Sequence, residues 1–181
     1  MKTINYITGN KFKFDIVKTF FDSLEIKVKQ KELPIYEIQG HDAIEITTSK
    51  ARQAWELIQE PLFVNDAFWI IPSLKGFPGP YMKYMNDWFE PKDFLNLMKD
   101  KKDRTIILRD TIVYIDKNGQ NVFTSDHYGK ILETPAGDYK YPSDAIISLS
   151  KNNKSIAEEN ETNNFFTEGV WVDFANWLKI K

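Results

Sequence analysis

The sequence predicts an α/β fold built on a mixed β-sheet, in a single domain over residues 1–181. Three patterns indicate this class. The chain opens with a strand over residues 3–8, which runs through Gly9 and Asn10 into a helix over residues 11–23. The Asn118–Gly119 turn joins apolar segments 104–115 and 120–131 as the two strands of a hairpin. The last segment, 169–180, places apolar residues at the spacing of an amphipathic helix.

The segments between these landmarks also alternate between strand and helix patterns, which favours an α/β class over an all-helical one. The middle of the chain is rich in Gly, Pro and aromatic residues, so an ordered loop is expected there rather than a solvated linker. The remaining predicted elements are a strand over 25–30, a helix over 41–59, a short strand over 62–65, the ordered loop over 69–84, a helix over 91–100, a strand over 145–150 and a polar loop over 151–164.

Composition excludes several classes of function. Lys and Arg number 24 against 26 Asp and Glu, and this balance weighs against a protein that coats nucleic acid. The chain has no cysteine, which excludes disulfides, thiolate catalysis and zinc–sulfur sites. It also has no apolar run long enough to span a bilayer and no apolar signal segment at its start. A cytoplasmic protein with neither a nucleic-acid nor a membrane partner is therefore expected.

The turn between the first strand and the first helix has the chemistry of a phosphate site. Gly9 allows close backbone approach, Asn10 supplies a carboxamide, and Lys13 lies on the first turn of a helix whose N-terminus carries positive dipole. A plainer alternative is that Asn10 only caps the helix and Lys13 is solvated, and the local sequence does not decide between the two. The turn is not a P-loop, because it lacks the glycine spacing and the Lys–Ser/Thr pair.

Two carboxylates are candidate metal ligands. Glu37 lies between two predicted elements, and Asp66 ends an apolar run where the edge of a strand would present it. Two hard oxygen ligands beside a triphosphate suit Mg²⁺. Taken singly, each carboxylate is more typical of a surface residue, and Lys50 on the second predicted helix is more typical of a solvated lysine.

The order of these motifs resembles the inosine triphosphate pyrophosphatase family. The resemblance is carried by Thr8-Gly9-Asn10-x-x-Lys13, Glu37-x-Gln39-Gly40, Lys50-Ala51, Asp66 and Gly76-x-Pro78-Gly79-Pro80-Tyr81-x-Lys83. It continues more weakly through Gly129-Lys130-Ile131, Asp144 and residues 154–158, and so covers most of the chain. Five spaced motifs in the same order make the first half specific in combination.

The resemblance implies a fold and an activity. The fold would be an elongated mixed β-sheet with flanking helices that form two lobes around a nucleotide cleft. The reaction would cleave a non-standard purine nucleoside triphosphate between its α and β phosphates, releasing a monophosphate and pyrophosphate. Mg²⁺ would be the cofactor, with Mn²⁺ as a possible substitute, and the protein would form a homodimer.

The resemblance also assigns roles by motif. Thr8, Asn10 and Lys13 would hold the triphosphate, and Lys50 would add a second cation. The metal would be bound by Glu37 and Asp66, and Asp66 would also activate the attacking water. Three residues of the candidate substrate site lie further along the chain: Lys83 would reach the phosphates or stabilise the dimer, and Tyr141 and Asp144 would contact the base. The candidate catalytic residues are thus Asp66, Lys13 and Lys50.

The sequence departs from the family pattern at three places. Asn65 stands where the family has the first of two adjacent acids, and Ser143 stands where it has an aromatic residue that stacks on the base. The family's Ser-His-Arg triplet before the last helix is replaced in the stretch Phe166-Thr167-Glu168-Gly169. The change at Asn65 would weaken metal binding or leave the base role wholly to Asp66. The other two departures predict a base preference other than inosine or xanthosine, because a site without its hydrogen-bonding groups loses discrimination.

Three other interpretations are compatible with the sequence. The chain could be a nucleotide-binding homologue that lost turnover through Asn65, or a related house-cleaning enzyme for modified pyrimidine nucleotides. It could also be an oligomeric interaction protein whose interface contains aromatic residues, among them Trp69, Phe77, Tyr81 and Trp88. Pyrophosphate release from a panel of nucleotides distinguishes these alternatives.

Overall fold

The described part of the computed structural model comprises residues 3–159 and 168–181. Within these residues, seven strands form a mixed sheet in the order β2-β1-β3-β5-β6-β7, and β4 pairs with β3. The strands are β1 (Thr3–Ile7), β2 (Lys27–Lys31), β3 (Leu62–Ile70), β4 (Pro78–Gly79), β5 (Thr105–Asp116), β6 (Gly119–Ile131) and β7 (Ile147–Ser148). The helices are α1 (Lys11–Asp22), α2 (Ala43–Ile58), α3 (Met82–Trp88), α4 (Pro91–Leu97), α5 (Ile156–Glu159) and α6 (Val170–Ile180).

The described residues group into two compact units. Unit 1 consists of residues 3–66, 110–125 and 168–181, and unit 2 of residues 67–109 and 126–159. The prediction of an α/β fold with a mixed sheet is confirmed, since β1 pairs in parallel with β2 and β3 while β6 pairs antiparallel with β7. The single domain over residues 1–181 stays a prediction.

Unit 1 has an aromatic core that joins both ends of the chain. Tyr6 of β1 stacks on Phe63 of β3, with ring centroids 4.5 Å apart. Trp171 and Phe174 of α6 contact Phe63 and Phe21, and all of these side chains are buried. Truncating a buried aromatic of this kind costs about 3–5 kcal/mol, so α6 is an integral part of the unit that contains β1 and α1.

Unit 2 has an aliphatic and methionine-rich core. Met82 and Met85 of α3 pack with Phe94 of α4, and with Ile106 and Ile131 of the long hairpin. Within this unit, Gly129 allows a close approach, because a Cβ at this position would collide with the carbonyl oxygen of Ser148.

The hairpin predicted from Asn118–Gly119 is present, and Gly119 adopts a positive φ of 127°.

The structure corrects the sequence prediction in two strands. β3 was expected to stop at Asn65 but continues to Ile70, because Phe68 provides a further buried apolar side chain. Asp66 consequently lies within a strand and not at its end. The strand expected over residues 145–150 has only two paired residues, since a 3₁₀ turn over Pro142–Ala145 occupies its start.

The loop predicted over residues 69–84 is more structured than expected. It contains a 3₁₀ turn at Pro72–Leu74, the short strand β4 and the first residues of α3. α3 went unpredicted because its two buried methionines, Met82 and Met85, are too few to produce a clear helical period. No helix in residues 3–159 and 168–181 has the length and apolar character needed to cross a bilayer.

Candidate functional site

Unit 1 contains a pocket of about 270 Å³ at the ends of β1 and β2. It brings together residues that are far apart in the sequence. The polar side chains that line it include Thr8, Asn10, Lys13, Lys50, Asn65 and Asp66. The predicted triphosphate residues of the first half of the chain therefore share one pocket.

The turn at the pocket's edge is held in a defined conformation by hydrogen bonds. Asn10 is the N-cap of α1, and its Oδ1 accepts from the backbone N–H of Lys13 at 3.0 Å. The hydroxyl of Thr8 accepts from the N–H of Asn10 at 3.1 Å, and the N–H of Thr8 donates to the carbonyl of Lys31 at 3.0 Å. The cap uses only the oxygen of the Asn10 carboxamide, so capping and phosphate binding are compatible roles rather than alternatives.

Lys50 connects the two candidate metal ligands. Its Nζ lies 2.8 Å from Oδ1 of Asp66 and 3.0 Å from Oε2 of Glu37. The Lys50 and Asp66 side chains are only 16% and 19% exposed, whereas that of Glu37 is 53% exposed. The structure thus brings Glu37, Lys50 and Asp66 together, and neither Lys50 nor Asp66 is a solvated surface residue.

Burial and charge perturb the titration of this cluster. Burial raises the pKa of the Asp66 carboxyl above its usual range, and the ammonium groups of Lys50 and Lys13 offset this only in part. Burial by itself lowers the pKa of Lys50, but Asp66 and Glu37 outweigh it and leave that pKa raised. Lys50 is therefore a firmly held cation, and Asp66 is a carboxylate with enhanced basicity.

Asn65 makes an unexpected contact with a buried acid. Its Nδ2 donates to Oδ1 of Asp110 at 2.9 Å and to the carbonyl of Thr111 at 3.2 Å. Only the amino group of the carboxamide can face two acceptors, so these contacts fix its orientation. Asn65 and Asp110 are both buried. In addition, burial raises the pKa of the Tyr6 hydroxyl, and the charges of Asp66 and Asp110 raise it further.

Two acids near the pocket were missed from the sequence. The sequence gives a weak indication of Asp110, because this acid interrupts an apolar strand and a buried charge needs a partner. Glu32 lines the pocket beside Gly9, and a Cβ on Gly9 would lie 3.0 Å from its Oε1. Glu32 is itself exposed, and nothing in the local sequence distinguishes it from the other exposed acids.

The donor set of the pocket fits a magnesium-type ion. Oδ2 of Asp66 is buried and has no hydrogen-bond partner among the described residues. A bound cation would satisfy this oxygen, and Glu37 is the second carboxylate within reach of the same lysine. No cluster of three or more acidic or histidine side chains suited to a metal occurs in residues 3–159 and 168–181. A site with few protein ligands suits Mg²⁺, which keeps several waters and bridges phosphates.

The remaining predicted substrate residues lie in unit 2. Lys83 is exposed on α3. Tyr141 precedes the 3₁₀ turn and Asp144 lies within it, and the N–H of Asp144 donates to the carbonyl of Tyr141 at 2.9 Å. Burial raises the pKa of Asp144, whereas the backbone of Tyr141 and the charge of Lys140 oppose it. None of the three lines the pocket of unit 1, and their contacts with substrate stay predictions.

Ser143, at the position where the family has a base-stacking aromatic residue, is packed inside unit 2. Ser143 is buried, and its N–H donates to Oδ1 of Asn86 at 3.0 Å, while the Tyr141 side chain is about half exposed. A larger side chain at position 143 would require this packing to change. Of the stretch that replaces the Ser-His-Arg triplet, Phe166 and Thr167 lie outside the described residues, as does part of the polar loop predicted over 151–164.

The fold and the pocket define an α/β protein in which a strand–turn–helix, a partly buried carboxylate and two lysines line one pocket. A model of the Ham1 family matches residues 4–165, and the chain belongs to this family. The resemblance to the inosine triphosphate pyrophosphatases is thereby confirmed.

Relatives with assigned activities are similar over nearly the whole chain. A dITP/XTP pyrophosphatase of Hyperthermus butylicus is 28% identical over 181 residues, which cover 98% of this chain and 95% of the relative. An inosine triphosphate pyrophosphatase of Ajellomyces capsulatus is 31% identical over 167 residues, covering 90% and 88%.

Solved structures agree with the fold. The HAM1 protein of Coxiella burnetii superposes with a TM-score of 0.85 at 18% identity, and the match covers all of both chains. The Ham1 protein of Staphylococcus aureus gives a TM-score of 0.81 at 17% identity over 98% of each chain. At these identities the similarity shows the fold alone.

Proposed function

We propose that this chain is a metal-dependent nucleoside triphosphate pyrophosphohydrolase that removes unwanted nucleotides. The observation that carries the proposal is the convergence of the Thr8–Asn10 turn, two lysines and the partly buried Asp66 on one pocket. The relatives named as pyrophosphatases support the same reaction class. In this reaction water attacks the α-phosphorus, the α–β anhydride bond breaks, and pyrophosphate leaves.

The two lysines, the turn and the two carboxylates have separate chemical tasks in that reaction. Lys13 and Lys50 neutralise the triphosphate and the departing pyrophosphate, while the turn donates hydrogen bonds from the N-terminus of α1. Asp66 orients the attacking water and accepts its proton. Glu37 and Asp66 would hold Mg²⁺, or Mn²⁺ in its place, and the ion would supply charge neutralisation at the phosphates.

The base preference is proposed to differ from that of the relatives named for inosine and xanthosine nucleotides. Ser143 is buried against Asn86 where an aromatic stacker is expected, and the sequence lacks the Ser-His-Arg triplet. A modified or pyrimidine base is therefore the expected substrate. The proposal on base preference fails if inosine or xanthosine triphosphate is the best substrate in a panel of standard and modified nucleotides.

A homodimer and a cytoplasmic location remain part of the proposal. The exposed surface of α3 provides one candidate contact, since Trp88 is 74% exposed and packs against Tyr84 with tilted rings whose centroids are 5.5 Å apart. Exposed aromatics of this kind are enriched at interfaces. Light scattering of the purified protein measures the oligomeric state directly.

The decisive test is pyrophosphate release with Mg²⁺ or Mn²⁺ by the wild type and by Asp66→Asn. The substitution keeps the size of the side chain but removes the base, so turnover should fall on the order of 100-fold or more. Glu56→Gln, which likewise converts an exposed acid into its amide, is the control and should leave turnover unchanged. If a folded wild type binds triphosphates but releases no pyrophosphate with either metal, the non-catalytic alternative is correct.

A further inference from the structure

The segment between β2 and α2 carries Glu37 but has no regular secondary structure. It comprises residues 32–42, and most of its side chains are exposed. Tyr36, immediately before Glu37, is 84% exposed. A metal ligand on such a segment needs an external support, because an unsupported loop would leave the carboxylate in many positions.

One side chain of α2 supplies that support. Oε1 of Gln53 accepts from the backbone N–H of Tyr36 at 3.0 Å, and Nε2 of Gln53 donates to the carbonyl of Tyr36 at 2.8 Å. Gln53 thus binds both polar groups of one residue, as a neighbouring β-strand would. Among the described residues, no other hydrogen bond reaches the backbone of residues 36–41.

Gln53 is itself well anchored. It lies one turn after Lys50 on α2, whose N-terminus is capped by Asp42 and whose Ala51 and Ala54 are fully buried. Longer contacts of 3.3–3.4 Å from its Nε2 to Ser49 orient the carboxamide from the helix side. The support therefore moves with the helix that also carries Lys50.

We propose that Gln53 is a positioning residue for the metal ligand Glu37. It fixes the main chain at Tyr36, while Lys50, three residues earlier on the same helix, holds the Glu37 carboxylate at 3.0 Å. One rigid helix thereby sets both the backbone and the side chain of Glu37 relative to Asp66. The inference rests on the proposed function, since it assigns Glu37 to the metal.

The test uses Gln53→Met, which keeps length but removes both hydrogen bonds, and Gln53→Glu, which can still accept from Tyr36 N–H but cannot donate to its carbonyl when ionised. Glu56→Gln, an exposed change on the next turn of α2, is the control. Glu37→Gln reports loss of the ligand itself. Mn²⁺ is titrated into each free protein and followed by the electron paramagnetic resonance of unbound Mn²⁺. Chymotryptic cleavage after Tyr36 measures how firmly the segment is held.

The expected result is Mn²⁺ affinity on the order of 10-fold weaker in Gln53→Met, a smaller loss in Gln53→Glu and none in Glu56→Gln. Cleavage after Tyr36 should accelerate in the same order. With saturating metal, kcat should stay near the wild-type value, because the loss lies in metal binding. A purely structural role would lower thermal stability without this separation of metal affinity from kcat.

Three outcomes overturn the inference, and only the last of them also overturns the proposed metal site. If wild type binds Mn²⁺ and Glu37→Gln does not, but Gln53→Met binds as wild type, the proposed site holds and Gln53 does not position it. The same conclusion follows if cleavage accelerates while Mn²⁺ affinity is unchanged. If Glu37→Gln binds Mn²⁺ as tightly as wild type, Glu37 is not the ligand, and the proposed metal site fails together with the inference.

Discussion

The charge balance at the buried Asp110 depends on whether residue 65 is an amide or an acid. At position 65 a carboxamide, not a carboxylate, faces the buried Asp110 at 2.9 Å. An acid at this position would place two carboxylates in direct contact inside the protein, and one of them would have to bind a proton. The amide at position 65 and the acid at position 110 therefore form a matched pair.

Asn65→Asp is expected to destabilise the protein by about 1–3 kcal/mol, because it replaces a buried donor with a group that Asp110 repels. The exchange Asn65→Asp with Asp110→Asn should recover most of this loss, since the pair again has one acid and one amide. Urea unfolding of the wild type, both single variants and the double variant measures the coupling. An Asn65→Asp protein as stable as wild type would contradict the pairing.

At the scale of secondary-structure elements, α1 and α2 both begin at a side-chain N-cap, but the two caps differ in their distance from the pocket. Asn10 caps α1 through the N–H of Lys13, and Asp42 caps α2 through the N–H groups of Ile44 and Glu45 at 2.8 and 3.2 Å. Only the cap of α1 lines the pocket. Stability and ligand binding should therefore be separable by comparing the two helices.

Asn10→Ser keeps a capping oxygen but removes the amino group, so triphosphate binding should weaken while the melting temperature changes little. Asp42→Ala removes a cap away from the pocket and should cost about 1 kcal/mol of stability with triphosphate affinity unchanged. Calorimetric titration with a non-hydrolysable triphosphate and thermal unfolding give the two readouts. Equal affinity of Asn10→Ser and wild type would assign Asn10 to capping alone.

At the scale of the whole chain, the last helix is tied to the hairpin by a charged contact. Nζ of Lys181 lies 2.7 Å from Oδ2 of Asp116 and 4.4 and 4.6 Å from the ring centroids of Tyr114 and Trp177. Burial by itself raises the pKa of Asp116. Hydrogen bonds that its carboxylate accepts from Lys181, the Asn118 backbone and Tyr114 outweigh burial and leave that pKa below its usual value. The folded protein therefore releases this proton more readily than the unfolded chain does.

This contact predicts a pH dependence of stability. The contribution of Asp116 is complete above the unfolded carboxyl pKa of about 3.9 and is lost as the pH falls through the lower folded pKa. Asp116→Asn should cost about 1 kcal/mol at pH 7 and flatten the acid side of the unfolding profile. Lys181→Met should behave similarly, whereas Lys179→Met, on the exposed side of α6, should not. Parallel acid profiles for wild type and Asp116→Asn would refute the role of this pair.

Much of the pocket was accessible to sequence reasoning because it is local. Thr8, Asn10 and Lys13 lie within six residues at a strand-to-helix turn, and backbone geometry alone brings them together. The carboxylates and Lys50 required the resemblance, since singly each looks like a surface residue. Asp110, Glu32 and Gln53 were not found, because their partners lie up to 45 residues away and no periodicity records such contacts.

The sequence by itself determined the α/β class, the strand–turn–helix at the phosphate site and the hairpin at Asn118–Gly119, because hydrophobic period and turn chemistry are written within a few residues. Tertiary structure alone decided that Asp66 lies within β3, that Lys50 bridges it to Glu37, and that Asn65 pairs with Asp110. These features depend on burial. A charged or polar group removed from water is stable only beside a partner, and only the folded chain brings that partner within reach.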